Sequence, residues 1–213
     1  MTHLSARGPG AKPPATVFVV DDDAAICVGL ERLLRSAGYT AQTFRSADAF
    51  LATASPDAEA CLILDVTMPG LDGLGLQDAL AARGWAIPIV FLTGRDEIPV
   101  SVRAMKRGAV DFLIKPVEAA VLFEAIEEAL ARATADHQHH EEQAVLRARF
   151  DTLTPREREV MLLVVTGRLN KQIAAELGAA EKTIKVHRAR VMQKMRVRSV
   201  AELVRAADRL GRQ

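Results

Sequence analysis

Short apolar runs in the first two thirds of the chain end repeatedly in residues that can do chemistry. Asp21-Asp22-Asp23 follows Thr16–Val20, Asp65 follows Cys61–Leu64, Thr93-Gly94 follows Ile89–Leu92, and Lys115-Pro116 follows Asp111–Ile114. Gathered at one rim, Asp21, Asp22, Asp65, Thr93 and Lys115 would bring together three carboxylates, a hydroxyl and an ammonium. Carboxylates in close company repel, and a hard divalent cation with oxygen ligands relieves the repulsion; Mg²⁺ suits a site of few carboxylates and several waters. A Lys and a Thr facing them are what an incoming phosphoryl group, with about two negative charges, requires.

The elements that must position these residues alternate. Thr16–Val20, Thr40–Phe44, Cys61–Leu64, Ile89–Leu92 and Asp111–Ile114 read as strands, several of them unbroken apolar runs of the kind that parallel strands covered on both faces require. Ala24–Ala37, Ala47–Ala54, Leu74–Arg83, Val100–Arg107 and Glu118–Leu130 have helix-forming composition, with Asp23 and Ser46 as N-caps and Gly38 as a helix C′ residue. Five β/α units predict an α/β doubly wound (βα)5 domain, whose ligands bind beyond the carboxyl ends of the strands.

The remaining third reads differently. Residues 131–149 lack Gly and Pro and carry a thin apolar stripe, which predicts an exposed linker helix continuing the last helix of the first domain. His137, His139 and His140 with Glu141 have no Cys beside them and no enclosing core, so they read as a solvated polar face. From Leu153 four short helices follow. Thr154-Pro155-Arg156-Glu157 is a capping box with Pro at N1 and opens a helix through Val165; Asn170 is expected to cap the next, to Leu177; Glu181–Met195 forms the third; Ser199-Val200-Ala201-Glu202 is a second capping box. Two helices around the tight turn Gly178-Ala179-Ala180 predict an all-α, four-helix helix-turn-helix domain.

On the third helix Ile184, Val191 and Met195 fall on one side, while Lys182, Lys185, Val186, Ala189, Arg190 and Gln193 fall on the other. Cations for phosphates and base edges, with methyls for thymine, fit a major groove of double-stranded DNA. Lys171, Thr183 and Lys194 complete the candidate DNA-binding residues, and His187 reads as a semi-buried packing residue.

Residues 16–130 resemble the receiver domain of two-component response regulators, on the joint occurrence of the Asp pair, Asp-x-x-Met-Pro-Gly-x-Asp-Gly, Thr-Gly and Lys-Pro at successive strand ends. The block Leu-Thr-Pro-Arg-Glu-Arg-Glu-Val, then Asn-Lys-Gln-Ile-Ala, then Lys-Thr-Ile-Lys-Val-His, resembles the LuxR-type helix-turn-helix, with Ala180 standing where that family commonly has a capping Ser, a loss of about 1 kcal/mol. Together they resemble FixJ/NarL-type response regulators. The resemblance implies a phosphoryl acceptor rather than an enzyme, with Asp65 as the phosphorylated residue. Asp22, Asp65 and the carbonyl of Thr67 would hold Mg²⁺, and Asp21 would act through water. Thr93 and Lys115 would bind the phosphoryl oxygens, and Phe112 is the switch aromatic. Thr67 and Arg95 would flank the phosphoryl group and set its lifetime. Lys115-Pro116 is a candidate cis bond. Implied partners are a sensor histidine kinase, duplex DNA, a second copy on phosphorylation and RNA polymerase.

Composition agrees. Of 213 residues 49% are apolar, the mix of a globular protein. The two cysteines, Cys27 and Cys61, lack metal-ligand spacing and point to a reducing compartment, and no apolar run approaches the roughly 20 residues of a membrane span. With Gly and Pro rather than an apolar region in residues 1–14, a disordered tail over 1–15 and a cytoplasmic location are expected. The net charge of +1 conceals −8 over residues 15–130 and +9 over 145–213. A phosphohydrolase of the haloacid-dehalogenase type is the rival from the enzyme class, but it needs a carboxylate where Thr67 stands. A DNA binder with a vestigial receiver is the other rival, and the complete acidic, Thr and Lys set speaks against it. Mutual attraction of the two domains is largely screened beyond about 8–10 Å, so dimerisation rather than unmasking is expected to be the switch.

Overall fold

The computed structural model describes residues 15–55, 59–94 and 103–211. In chain order the elements are β1 (Thr16–Val20), α1 (Ala24–Ser36), β2 (Thr40–Phe44), α2 (Ala47–Thr53), β3 (Ala60–Asp65), α3 (Gly73–Ala82), β4 (Ile89–Thr93), a helical turn α4 at 103–106 and β5 (Asp111–Ile114). They are followed by α5 (Ala119–Asp151), α6 (Pro155–Val165), α7 (Asn170–Glu176), α8 (Glu181–Met195) and α9 (Val200–Gly211). The chain divides into two compact units, up to His137 and from Gln138. The expected tail and the start of the expected helix Val100–Arg107 lie outside the described residues.

In the first unit all strand pairs are parallel, in the order β2-β1-β3-β4-β5. Alternation along each strand serves two cores at once. Phe18 and Val20 of β1 join Phe50, Leu62, Leu64, Leu76 and Phe91 on one face, while Val17 and Val19 join Leu30, Leu34, Ile63, Leu122 and Ile126 on the other. This double burial is why the strands read as unbroken apolar runs. The caps explain the helix starts: Asp23 accepts from Ala25 N at 2.7 Å and Ser46 from Ala49 N at 3.2 Å. Gly38, at φ 92°, follows the C-cap of α1 in a conformation that costs other residues dearly.

Boundaries differ from expectation where the sheet extends or a cap intervenes. β3 runs on through Asp65, which pairs in register with Leu92 of β4, so the acceptor candidate sits inside the ladder. α3 starts at Gly73 because Asp72 caps it, accepting from Gly75 N at 2.7 Å. As expected, the last helix of the first unit continues through residues 131–149: α5 is one unbroken helix to Asp151. Its early turns bury Leu122, Ala125, Ile126 and Ala129 in the first unit, and its last turns lay Leu146 and Phe150 on the core of the second.

That second core is formed by Leu153, Val160, Met161, Val164, Ile173, Ile184, Val191, Met195 and Leu203. The Thr154 capping box closes in both directions, with Thr154 N donating to Glu157 Oε2 at 2.9 Å and Glu157 N to Thr154 Oγ1 at 3.3 Å. Asn170 is the first residue of α7 rather than its cap. The N-cap is Leu169, whose N–H donates to Gln172 Oε1 at 2.8 Å, because the Asn170 amide oxygen is engaged by Arg188 at 3.0 Å. At α9 the Ser199 hydroxyl accepts from Glu202 N, but the Glu202 carboxylate takes the N–H of Arg198 at 2.8 Å, one residue earlier than a capping box requires.

Gly73 is required by space. A Cβ there would stand 2.3 Å from the carbonyl oxygen of Asp65, a backbone atom that cannot swing aside. Gly73→Ala is expected to destabilise the first unit by about 1–3 kcal/mol, the usual cost of overpacking. Chemical denaturation should show this, with a slower reaction at Asp65 as its carbonyl is displaced; an unchanged midpoint would contradict the steric reading.

Candidate functional site

The parallel order sets β1 beside β3, with β4 and then β5 beyond, and all four deliver their carboxyl ends to one rim. Asp21 and Asp65 are both buried there, Asp22 is half-buried, and the three can offer oxygens within 4.8 Å of one another. Lys115 reaches back from the end of β5. Its Nζ donates to Asp21 Oδ2 and to Asp65 Oδ1, each at 2.6 Å, and its backbone N–H donates to Thr93 O at 2.7 Å. Burial pushes the Asp65 carboxyl above its ordinary range, against the pull of Lys115, and neighbouring Asp21 and Asp22 push the same way. Burial works against the Lys115 charge too, but bonding to both carboxylates outweighs it and raises the ammonium pKa. One cation is thus shared between two acids.

The supporting residues follow. Thr93 is buried at the end of β4 with its hydroxyl donating to Gly94 O at 3.2 Å. Thr67 is exposed two residues beyond Asp65. Phe112 is half-buried, its ring 6.0 Å from that of Phe91, and Lys115-Pro116 is cis. Arg95 lies outside the described residues. Two contacts have no signature in the sequence. Arg45, at the end of β2, donates from Nη2 to the carbonyl of Asp22 at 2.8 Å, and Cys27 Sγ donates to the carbonyl of Asp21 at 3.2 Å. Both hold the backbone that carries the acidic pair. Only the return of α1 and β2 to the β1 end creates these contacts, so spacing could not have announced them. As hard oxygen donors in a close triad, the three carboxylates fit a divalent cation such as Mg²⁺.

In the second unit α8 separates its faces as its periodicity requires. Ile184, Val191 and Met195 are fully buried, whereas Lys182, Thr183, Lys185, Val186, Ala189, Arg190 and Gln193 are exposed, as is Lys171 on α7. Ala180 caps α8 without a side-chain bond. His187 is half-buried with its Nδ1 enclosed, in keeping with packing. Lys185 pairs with Glu181 at 3.2 Å, an exposed i,i+4 contact weak enough to be exchanged. Lys194 departs from the expected DNA-contact set. It is half-buried, and its ammonium is drawn inward to Glu157 Oε2 at 2.6 Å and the carbonyl of Thr152 at 3.0 Å.

Comparison with known proteins gives this arrangement its family. A family described as "Response regulator receiver domain" matches residues 17–127, and one described as "Bacterial regulatory proteins, luxR family" matches residues 151–207. Nodulation protein W of Bradyrhizobium diazoefficiens is 47% identical, over 96% of this chain and 92% of that protein. The response regulator protein TodT of Pseudomonas putida is 40% identical, over 99% and 90%. Among solved structures, the response regulator StyR is 49% identical with a TM-score of 0.81, covering 91% of this chain and 98% of that one. Full-length FixJ from B. japonicum is 41% identical with a TM-score of 0.58, covering 95% and 100%. Among the described residues no helix is long and apolar enough to cross a membrane. With a receiver match over the parallel sheet and a LuxR-type match over the helical unit, the chain belongs to the two-component response regulators that regulate transcription through a LuxR-type DNA-binding domain.

Proposed function

We propose that Asp65 is the phosphoryl acceptor and that its phosphorylation by a sensor histidine kinase drives dimerisation and sequence-specific DNA binding. The observation that carries this reading is the Lys115 ammonium held 2.6 Å from both Asp65 and Asp21 at the strand ends. A carboxylate oxygen of Asp65 attacks the phosphorus of a phosphohistidine, the P–N bond breaks, and the electron pair leaves with the imidazole. Mg²⁺, held by Asp22, Asp65 and the Thr67 carbonyl with Asp21 through water, would neutralise charge on the transferring group. Lys115 and Thr93 then bind phosphoryl oxygens, and Phe112 turns toward the space Thr93 leaves. The surface around α4, β5 and α5 changes with it, and two copies pair there.

The division we propose is a receiver over 16–130, a helical linker over 131–149 and a DNA-binding domain over 150–213, in a cytoplasmic protein that engages RNA polymerase from its operator. Lys182, Thr183, Lys185, Val186, Ala189, Arg190 and Gln193 face the groove, and Lys171 clamps phosphate. Dimerisation is favoured over unmasking because attraction between an acidic and a basic domain is largely screened at physiological salt beyond about 8 Å.

Three measurements test this. Acetyl phosphate with Mg²⁺ should add one phosphoryl group by mass, at Asp65, and EDTA should abolish the addition; labelling that survives Asp65→Asn, or proceeds without a divalent ion, rejects the acceptor. Across a duplex library, Lys185→Ala should cost about 1–3 kcal/mol and relax preference at particular bases, whereas Lys171→Ala should weaken all sequences alike; identical profiles would erase the distinction between reader and clamp. Sedimentation should show a monomer that shifts to a dimer on phosphorylation. A fully phosphorylated monomer that binds its site would favour unmasking instead.

A further inference from the structure

α8 presents its exposed side chains from a helix whose first turn is held by buried Ile184 and lacks a side-chain cap. Its N-cap, Ala180, offers no side-chain bond. The polar anchoring lies further along. Arg188 donates to Asn170 Oδ1 of α7 at 3.0 Å, and in the last turn Lys194 Nζ reaches Glu157 Oε2 at 2.6 Å and the Thr152 carbonyl at 3.0 Å. Glu157 is only 2% exposed and belongs to the capping box that starts α6. Its Oε2 therefore serves two donors, the Thr154 N–H and Lys194. The turn after α5, the first turn of α6 and the last turn of α8 meet at this one ammonium.

We propose that Lys194, paired with Glu157, is a positioning residue for DNA recognition: it fixes the pitch of α8 without touching DNA. The inference rests on the reading of α8 as the recognition helix. Its physical ground is leverage. Lys182 lies about 18 Å up the helix from Lys194 at 1.5 Å per residue, so a tilt of about five degrees at the clamped end displaces it by ~1.5 Å. Such a shift moves base-edge hydrogen bonds out of range, since they tolerate only a few tenths of an ångström. Glu157 is well matched to hold such a clamp. Bonding to Lys194 holds its carboxyl below the usual carboxylate range despite burial, so Glu157 stays ionised at neutral pH.

The competing roles of Lys194 are a phosphate contact and a purely structural tie, and salt dependence separates them. The test uses the full chain treated with acetyl phosphate and a duplex selected by the unaltered protein from a randomised library, at a temperature where every variant is folded. Lys194→Met should weaken binding by about three- to thirtyfold, within the range of coupling between neighbouring side chains, and blur base preference, with the slope of log K against log salt unchanged. Glu157→Gln/Lys194→Met, which removes both charges, should recover much of the affinity, and it decides the matter if Lys194→Met alone does not fold. A slope shallower by about 0.9 in both variants would make Lys194 a phosphate contact and overturn the proposal. Unchanged affinity in both would make the pair structural only and overturn it equally. Absence of salt-dependent binding by the unaltered protein would instead reject the reading of α8 on which the proposal rests.

Discussion

The Lys115 ammonium is the interaction on which the receiver unit depends. A parallel sheet must send its strand ends to one side, and here two of those ends carry buried carboxylates, Asp21 and Asp65. Left alone, they would repel in a setting where burial already disfavours their charge. β5 is two strands away from β3, about 10 Å at the usual spacing, and only a long cationic side chain spans that gap. Lys115 does so while its backbone N–H stays bonded to the carbonyl of Thr93. The same bridge that makes the resting state tolerable is the one a phosphoryl group would displace, because the Lys115 side chain remains about a quarter exposed at 23%.

The two buried carboxylates paired with lysine have opposite characters. At Asp65 burial dominates and the carboxyl is pushed up, against the pull of Lys115. At Glu157 bonding dominates and the carboxyl is pulled down, because Lys194 and the Thr154 N–H both donate to it. A buried ion pair is weak evidence of stability in itself. What distinguishes them is the surroundings: the first pair stands at the mouth of the sheet beside Asp22 and Thr93, and the second ties the last turn of α8 to the first turn of α6 and the turn after α5.

The sequence by itself determined a great deal. Apolar runs ending in Asp, Thr or Lys specified a parallel sheet with a polar rim, since double burial and the rule of strand ends leave few alternatives. The motifs at those ends identified Asp21, Asp22, Asp65, Thr93 and Lys115 before any geometry. The periodicity of Glu181–Met195 separated Ile184, Val191 and Met195 from the exposed cations, and the helix has those bounds.

Tertiary structure decided what local signals cannot carry. Lys194 counts by sequence among the candidate DNA-binding residues, yet its long stem folds back to Glu157, 37 residues earlier, which the fold of α6 against α8 brings within reach. Asn170 carries the right chemistry for a cap, but Arg188 of α8 claims its oxygen, and the cap passes to Leu169. Arg45 and Cys27 brace the acidic loop only because α1 and β2 return to the end of β1. α5 continues from Ala119 to Asp151, where composition allowed helix throughout but could not say that its two ends serve different cores. Periodicity and caps are local and can be read from the chain. Partnerships between side chains distant in sequence depend on which backbones the fold brings within hydrogen-bonding reach.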